Sequence, residues 1–345
     1  MPTETALSAR PIAVTMGEPA GIGPDITLTA FANRAEAPLP AFALLADPEL
    51  LGERARRLGL SIQIAPLARI SDATACDPGS LPVLPVKLST VTVPGSPTPL
   101  NAPAVLAAIE MAVSLALNGQ AAAVVTNPIA KRTLHEAGFN HPGHTEFLAE
   151  LAERATGRSV KPVMMLASDV LRVVPATVHI PLRDVPGALS VDHLVDVGEI
   201  VAAALAREFA IEAPRIAFTG LNPHAGEGGS LGHEDEEIVR PAVETLCARG
   251  HRAAGPFSAD TLFHAAARKT YDAVVAMYHD QALIPVKTLS FDTGVNVTLG
   301  LPFVRTSPDH GTAFDIAGTG KASPESFVQA LRLAARLAQS RSRMS

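Results

Sequence analysis

Three histidines close three separate apolar runs: His179 ends the run that starts at Leu171, His224 the run from Arg215, and His279 the run from Asp272. Runs of this composition read as β-strands, and open α/β sheets bind ligands at the carboxyl ends of their strands. Three neutral imidazoles delivered to one such edge make the donor set of a divalent cation with open coordination positions. A single histidine after a strand is usually structural, but the threefold repetition argues for one metal site. Each histidine is set in loop chemistry: Pro181-Leu-Arg-Asp follows the first, Asn222-Pro precedes the second, and Asp280-Gln follows the third. Asp280, and Asp260 in Ala259-Asp-Thr-Leu-Phe263, could orient a ligand imidazole or could cap helices.

A second group of residues suits an anion. Thr126-Asn-Pro-Ile-Ala-Lys131 and Asn140-His-Pro-Gly-His144-Thr145-Glu146 supply hydroxyl, amide and imidazole donors just ahead of a helix. Thr145 is expected as the N-cap, and the helix N-terminus behind it favours phosphate, with capping alone as the plainer alternative. Lys287, Asn296 and Arg305 follow in a segment poor in other charges, where they serve phosphate or simply the surface. Met16-Gly-Glu-Pro-Ala-Gly-Ile-Gly-Pro-Asp25 follows the first strand and opens a helix, so its amides can approach a ligand, although its spacing departs from the dinucleotide-binding fingerprint. The run Glu234 to Glu237 is expected in the first turn of a helix as a solvated face that complements the dipole, not as a calcium site.

These residues need a scaffold. Strand-like runs at 11–15, 41–46, 121–126, 163–166, 171–178, 215–219 and 273–277 alternate with amphipathic stretches at 103–118, 145–156, 192–209, 233–249, 258–269 and 323–340. That alternation predicts α/β architecture with a largely parallel sheet. A chain of 345 residues exceeds one ordinary core, so two α/β/α lobes flanking a cleft are expected. The Pro-rich stretch from Asp77 to Pro103 reads as an irregular excursion with hairpin character, and Ser340 to Ser345 as a frayed tail.

Composition narrows the function. Apolar residues make up 47% and charged residues 18%, which suits a globular enzyme. A net charge of −6 with no basic stripe argues against nucleic-acid partners. Residues 1–10 lack an apolar signal segment, and the stretch from Ala102 to Leu117 is broken by Glu110, so no membrane association and a cytoplasmic location are expected. Cys76 and Cys247 form no disulfide framework and are read as structural thiols.

The blocks Gly17-Glu-Pro-Ala-Gly-Ile-Gly-Pro, Pro142-Gly-His-Thr-Glu-Phe, His179-Ile-Pro-Leu-Arg-Asp, Gly220-Leu-Asn-Pro-His-Ala-Gly-Glu, Ala259-Asp-Thr and Tyr278-His-Asp-Gln together resemble the 4-hydroxythreonine-4-phosphate dehydrogenases of pyridoxine biosynthesis, from about Pro11 to Ala335. The resemblance implies a fold like that of isocitrate and isopropylmalate dehydrogenases with a non-Rossmann cofactor site. It implies a homodimer whose active site lies at the subunit interface, with His179, His224 and His279 as metal ligands drawn from both subunits. His144, Thr145, Lys287, Asn296 and Arg305 then bind the phosphorylated substrate, and Asp260 and Asp280 support catalysis, Asp280 as a candidate base. The loop His310-Gly-Thr-Ala-Phe-Asp-Ile-Ala-Gly318 is similar to the adenosine-binding loop of those relatives, which assigns His310, Gly311, Ala313, Asp315 and Ile316 to the cofactor. A carboxylate at Asp315 accepts ribose hydroxyls and repels a 2′-phosphate, hence NAD over NADP.

The same resemblance divides the chain into a cofactor-side lobe of residues 1–128 with 286–345 and a metal, substrate and dimerisation lobe of residues 129–285. The expected ion is one divalent metal per site, zinc first, with cobalt, magnesium and manganese as alternatives. The implied reaction oxidises 4-phosphohydroxy-L-threonine to a β-keto acid that decarboxylates to 3-amino-2-oxopropyl phosphate. Ala282 and the segment Ser290-Phe-Asp-Thr-Gly depart from the family pattern. They keep dehydrogenases of D-threonate or D-erythronate 4-phosphate, or of aromatic cis-diol carboxylates, open as alternatives, beside a phosphate-ligand binding protein without catalysis.

Overall fold

The computed structural model describes residues 10–141 and 143–343. The strands are β1 (Ile12–Thr15), β2 (Phe42–Ala46), β3 (Gln63–Pro66), β4 (Ser80–Pro85), β5 (Val124–Thr126), β6 (Val163–Ala167), β7 (Arg172–Pro175), β8 (Arg215–Thr219), β9 (Arg252–Phe257), β10 (Ala273–Ala276), β11 (Val295–Leu299) and β12 (Arg305–Pro308). The helices are α1 (Gly23–Ala32), α2 (Pro48–Arg57), α3 (Ala102–Leu117), α4 (Lys131–Glu136), α5 (His144–Thr156), α6 (Val185–Ala188), α7 (Val191–Arg207), α8 (Arg240–Ala248), α9 (Ala259–Leu262), α10 (His279–Leu289) and α11 (Glu325–Arg343). Residues 1–9, 142, 344 and 345 lie outside the described residues, and with them the expected leaderless start and the end of the expected tail. Ser340 to Arg343 do not fray; they continue α11.

The chain divides into two compact units, the first built from Met1–Pro162 with Leu301–Ser342 and the second from Val163–Gly300. This is the expected two-part α/β organisation, with seams further along the chain than 128/129 and 285/286. Packing explains the shift: α5 lies against α3 of the first unit, and β11 pairs with β6 of the second.

In the first unit the strand order β3-β4-β2-β1-β5-β12 is parallel throughout. Every residue of β1 and β2 is buried, as strands covered on both faces require. α3 is long and apolar enough, counted from Pro99, to cross a membrane by length and composition. It packs instead on β1, β5 and α5, burying Ala104, Val105, Ala108, Ile109, Ala112 and Val113. Part of the expected irregular stretch is strand β4, followed by an isolated bridge between Val93 and Ser96.

The second unit has the order β11-β6-β7-β10-β8-β9. β7, β10, β8 and β9 are parallel, whereas β6 runs antiparallel to both β7 and β11, so the sheet is mixed. The cause is local, because the turn Ser168 to Leu171, closed by their mutual backbone bond of 2.9 Å, is too short for a parallel crossover. The helix expected over 258–269 stops at Leu262, whose carbonyl accepts the buried Tyr271 hydroxyl at 2.9 Å. The helix expected over 233–249 begins as a π turn, Asp235–Val239, before α8.

Candidate functional site

In the second unit β7, β10 and β8 are adjacent and parallel, so the segments that leave their carboxyl ends, carrying His179, His279 and His224, start from one edge of the sheet. The rings of His179 and His279 meet there with centroids 5.5 Å apart. His279 opens α10, and its Nδ1 bonds Asp280 Oδ1 at 2.8 Å. A carboxylate there holds the Nδ1 proton and leaves the Nε2 lone pair for a cation. Gln281, one residue on, ties the strand ends together: its Oε1 accepts from Thr219 Oγ1 and from Met277 N, each at 2.7 Å, and its Nε2 donates to Gly220 O at 2.8 Å. Sequence reasoning gave Gln281 no role beyond its motif.

His224 stands apart. It is exposed on the loop after β8, and among the described residues no three histidine, cysteine, aspartate or glutamate side chains of one chain converge as a metal-holding group. Asp260 Oδ1 accepts from Ser258 Oγ at 2.5 Å. Asp260 lines one pocket with Asp280, Tyr278, Gln281 and Ile284. Lys287 lies on α10 with its ammonium 5.7 Å from the Phe291 ring centre, and Asn296 lies on β11 with Oδ1 buried and unpartnered. Ala282 is fully buried in the core beside Ala276 and Val286, so that departure from the family pattern concerns packing.

The acidic run is only partly a solvated face. Asp235 is fully buried and accepts from the amides of Leu221 and Asn222, while Glu234 Oε2 accepts from Asn222 Nδ2 at 2.8 Å. The expectation failed because Asp235 is buried on the amides that precede His224 rather than turned outward.

The first unit gathers cations. Arg305 opens β12 beside Val124 and is 3% exposed. Its Nε and Nη2 donate to Thr126 Oγ1 at 3.2 and 2.6 Å. Burial lowers its pKa to about 10, which leaves it charged at neutral pH. His144 opens α5 with a buried, unpartnered Nε2. Burial first, then the positive charges of Arg305 and Lys131, hold this imidazole well below its ordinary pKa, so it is neutral.

Lys131, which opens α4, puts Cε and Nζ 3.2 and 3.3 Å from where a Cβ on Gly143 would sit. Gly143 has ordinary extended backbone, so a side chain there would meet only the end of Lys131, which would have to shift slightly. No carboxylate lies within ion-pair distance of Lys131 among the described residues. Thr145 is not the N-cap: the helix begins at His144 with Gly143 as cap, placing Thr145 inside the first turn. Glu146 of the same first turn brings a carboxylate, its Oε2 3.5 Å from the Gly143 Cβ position, and its charge acts on Arg305. Two cations, one carboxylate and a neutral ring at a helix start with no side-chain cap leave an excess of positive charge that suits a phosphate group.

Two further loops of this unit are locked together. Ile22 N donates to Thr312 O at 3.0 Å, and Asp25 Oδ2 accepts from Gly318 N at 2.5 Å. Asp25 also pairs with buried Arg54, which donates to Gly21 O and Pro19 O at 3.0 Å each. Gly17, at φ +69° and with its Cβ position 2.5 Å from Pro128 O, admits no side chain. Burial pushes the Glu18 carboxyl up, although Ala20 N donates to it at 3.1 Å. His310, Gly311, Ala313, Asp315 and Ile316 share the partner loop: Ala313 is left-handed at φ 41°, Asp315 is exposed, and His310 Nε2 is buried without a partner. The clamp residues Asp25 and Arg54 were missed, the only signal being the Asp that ends the glycine motif.

Comparison with known proteins gives this arrangement a context. The family profile described as pyridoxal phosphate biosynthetic protein PdxA matches residues 39–334. A 4-hydroxythreonine-4-phosphate dehydrogenase of Xanthobacter autotrophicus is 56% identical over 97% of this chain and 95% of its own length. The crystal structure of a 4-hydroxythreonine-4-phosphate dehydrogenase from Klebsiella pneumoniae superposes with a TM-score of 0.86 at 38% identity, covering 96% of this chain and all (100%) of that one. A terephthalate 1,2-cis-dihydrodioldehydrogenase from Burkholderia xenovorans is more distant, with a TM-score of 0.63, 29% identity, and coverage of 95% and 98%.

Proposed function

This chain belongs to the PdxA family of pyridoxal phosphate biosynthetic proteins, and from that premise we propose that it oxidises 4-phosphohydroxy-L-threonine with NAD. The product is 2-amino-3-oxo-4-phosphooxybutanoate, which loses carbon dioxide to give 3-amino-2-oxopropyl phosphate. The observation that carries the reading is the cradle of buried Arg305, neutral His144 and Lys131, whose two cations outnumber the carboxylate beside them, Glu146. It supplies an anion site suited to the phosphate of a phosphorylated substrate.

The residues divide the work. Arg305 and Lys131 neutralise the phosphate, His144 and Thr145 supply neutral donors, and the motif match adds Lys287 and Asn296 from either copy of the chain. His179, His224 and His279 would hold a divalent ion, zinc first and cobalt, magnesium or manganese otherwise. The donor chemistry fits: two rings 5.5 Å apart, one with Nε2 freed by Asp280. Bound, that ion supplies Lewis-acid polarisation of the substrate hydroxyl, and NAD supplies the hydride acceptor. Asp280 is already engaged by His279 Nδ1, so its proposed role is to orient that ring rather than to serve as the base, with Asp260 supporting the same pocket. Asp315, exposed on the cofactor loop, would favour NAD over NADP.

A homodimer is part of the proposal. Among the described residues no group of three ligand side chains forms within one chain, and exposed apolar side chains flank two of the histidines, with Ile180 and Leu182 after His179 and Ile284 on the helix that His279 opens. A second copy would cover these residues and complete the ligand set.

The test is initial-rate NADH formation with 4-phosphohydroxy-L-threonine, D-threonate 4-phosphate, D-erythronate 4-phosphate and an unphosphorylated cis-diol carboxylate. The highest kcat/KM is expected with the first. Turnover of the cis-diol alone would reject the reading, and ligand-induced stabilisation with no NADH from any substrate would reject catalysis.

A further inference from the structure

The loop that displays His224 has a backbone that L-amino acids avoid. His224, Ala225, Gly226, Glu227 and Gly228 have φ of 54°, 51°, 77°, 42° and 65°. Three of the five carry a side chain, and such conformations persist only where the surroundings impose them. The surroundings converge on Asp235. Its Oδ1 accepts from Leu221 N at 2.6 Å and its Oδ2 from Asn222 N at 3.0 Å, just ahead of the left-handed segment. A Cβ on Gly220 would lie 2.9 Å from Asp235 Oδ1, and one on Gly226 3.4 Å from Oδ2, so small residues on both sides let the loop close onto the carboxylate. Asp235 is fully buried and spends both oxygens on backbone amides.

We propose that Asp235 is a positioning residue of the cation site, fixing the left-handed loop so that His224 is held ready although the carboxylate never touches the ion. This rests on the reading of His224 as a ligand. If it is right, cation affinity depends on the geometry of a carboxylate that recognises only main chain, since loss of a group that orients a ligand typically costs about 10- to 100-fold in affinity.

Zinc or cobalt titration of the metal-free, full-length protein tests it. Asp235→Asn keeps the size but turns one acceptor into a donor facing an amide, and it is expected to weaken binding about 10- to 100-fold with the circular dichroism spectrum unchanged. Glu237→Gln, on the exposed side of the same turn, is expected to bind as wild type. Wild-type affinity in Asp235→Asn overturns the proposal. His224→Ala separates the two claims: if it binds the ion normally, the histidine reading itself falls, whatever Asp235→Asn does. Should Asp235→Asn fail to fold, hydrogen exchange in the metal-free wild type decides. The Leu221 and Asn222 amides are expected to be protected, and exchange at unprotected rates overturns the proposal.

Discussion

The cation cradle of the first unit and the histidine edge of the second differ in how finished they are within one chain. The cradle is buried: Arg305 is 3% exposed, His144 Nε2 is sealed, and the charges already act on one another. The histidine edge is open, with His179 and His224 exposed and its order held from behind by Asp280, Gln281 and Asp235. In a low-dielectric setting fixed charges act strongly and need no reorganisation, so the proposed phosphate site would be ready in the folded chain. The histidine edge differs: the rings of His179 and His279 lie 5.5 Å apart while His224 stands exposed on its loop, and in the proposed site a second chain would complete the set.

The sharpest way to break this contrast is to cut each side and ask whether the other notices. His279→Ala should lower kcat about 1,000-fold or more, because Lewis-acid polarisation contributes several kcal/mol. Its cation content should fall, while protection by inorganic phosphate persists. Arg305→Ala should raise KM about 100-fold, the loss expected from charge-assisted bonds of about 1.5–3 kcal/mol each, with cation content unchanged. If Arg305→Ala sheds the metal, or His279→Ala loses phosphate protection, the two regions are not separate.

A smaller effect sharpens the cradle itself. Lys131 is exposed, in contrast to Arg305, so solvent screens its charge. Lys131→Met is therefore expected to raise KM for the phosphorylated substrate only about 10-fold, or about 1.4 kcal/mol, and to leave kcat and cation content alone. A fall in kcat at constant KM would move Lys131 from the phosphate to the reacting carbon.

What was legible in the sequence follows from the same physics. The three histidines could be found because each ends a run whose burial is written in its apolar residues, and parallel pairing of β7, β10 and β8 brings those ends to one edge. β12 escaped notice because Arg-Thr-Ser-Pro carries no hydrophobic pattern, although all four residues are buried. Asp235 was misjudged because four acidic residues in a first turn look alike until tertiary contacts bury one of them. Thr145 looked like a cap because its hydroxyl suits the role, whereas α5 starts one residue earlier, at His144, with Gly143 in the cap position and no side-chain cap bond.

The smallest effect separates the two regions by their response to acid. His144 is neutral in the folded cradle, its pKa held below the ordinary 6.5 by burial and by Arg305 and Lys131. As pH falls through that ordinary value the unfolded chain takes up a proton that the folded chain refuses, so stability drops from there down to the depressed folded value and is insensitive to this group above it. Denaturant unfolding of the wild type should therefore weaken more between about pH 7 and pH 5 than that of His144→Gln. An anion in the cradle reverses the field on the ring and raises its pKa. By linkage, sulfate, whose charge is constant over this range, should stabilise the wild type more at about pH 5.5 than at about pH 7.5 and should lose that dependence in His144→Gln. Equal stabilisation by sulfate at both values would mean that the imidazole does not share its anion with Arg305, and the cradle would reduce to one buried arginine.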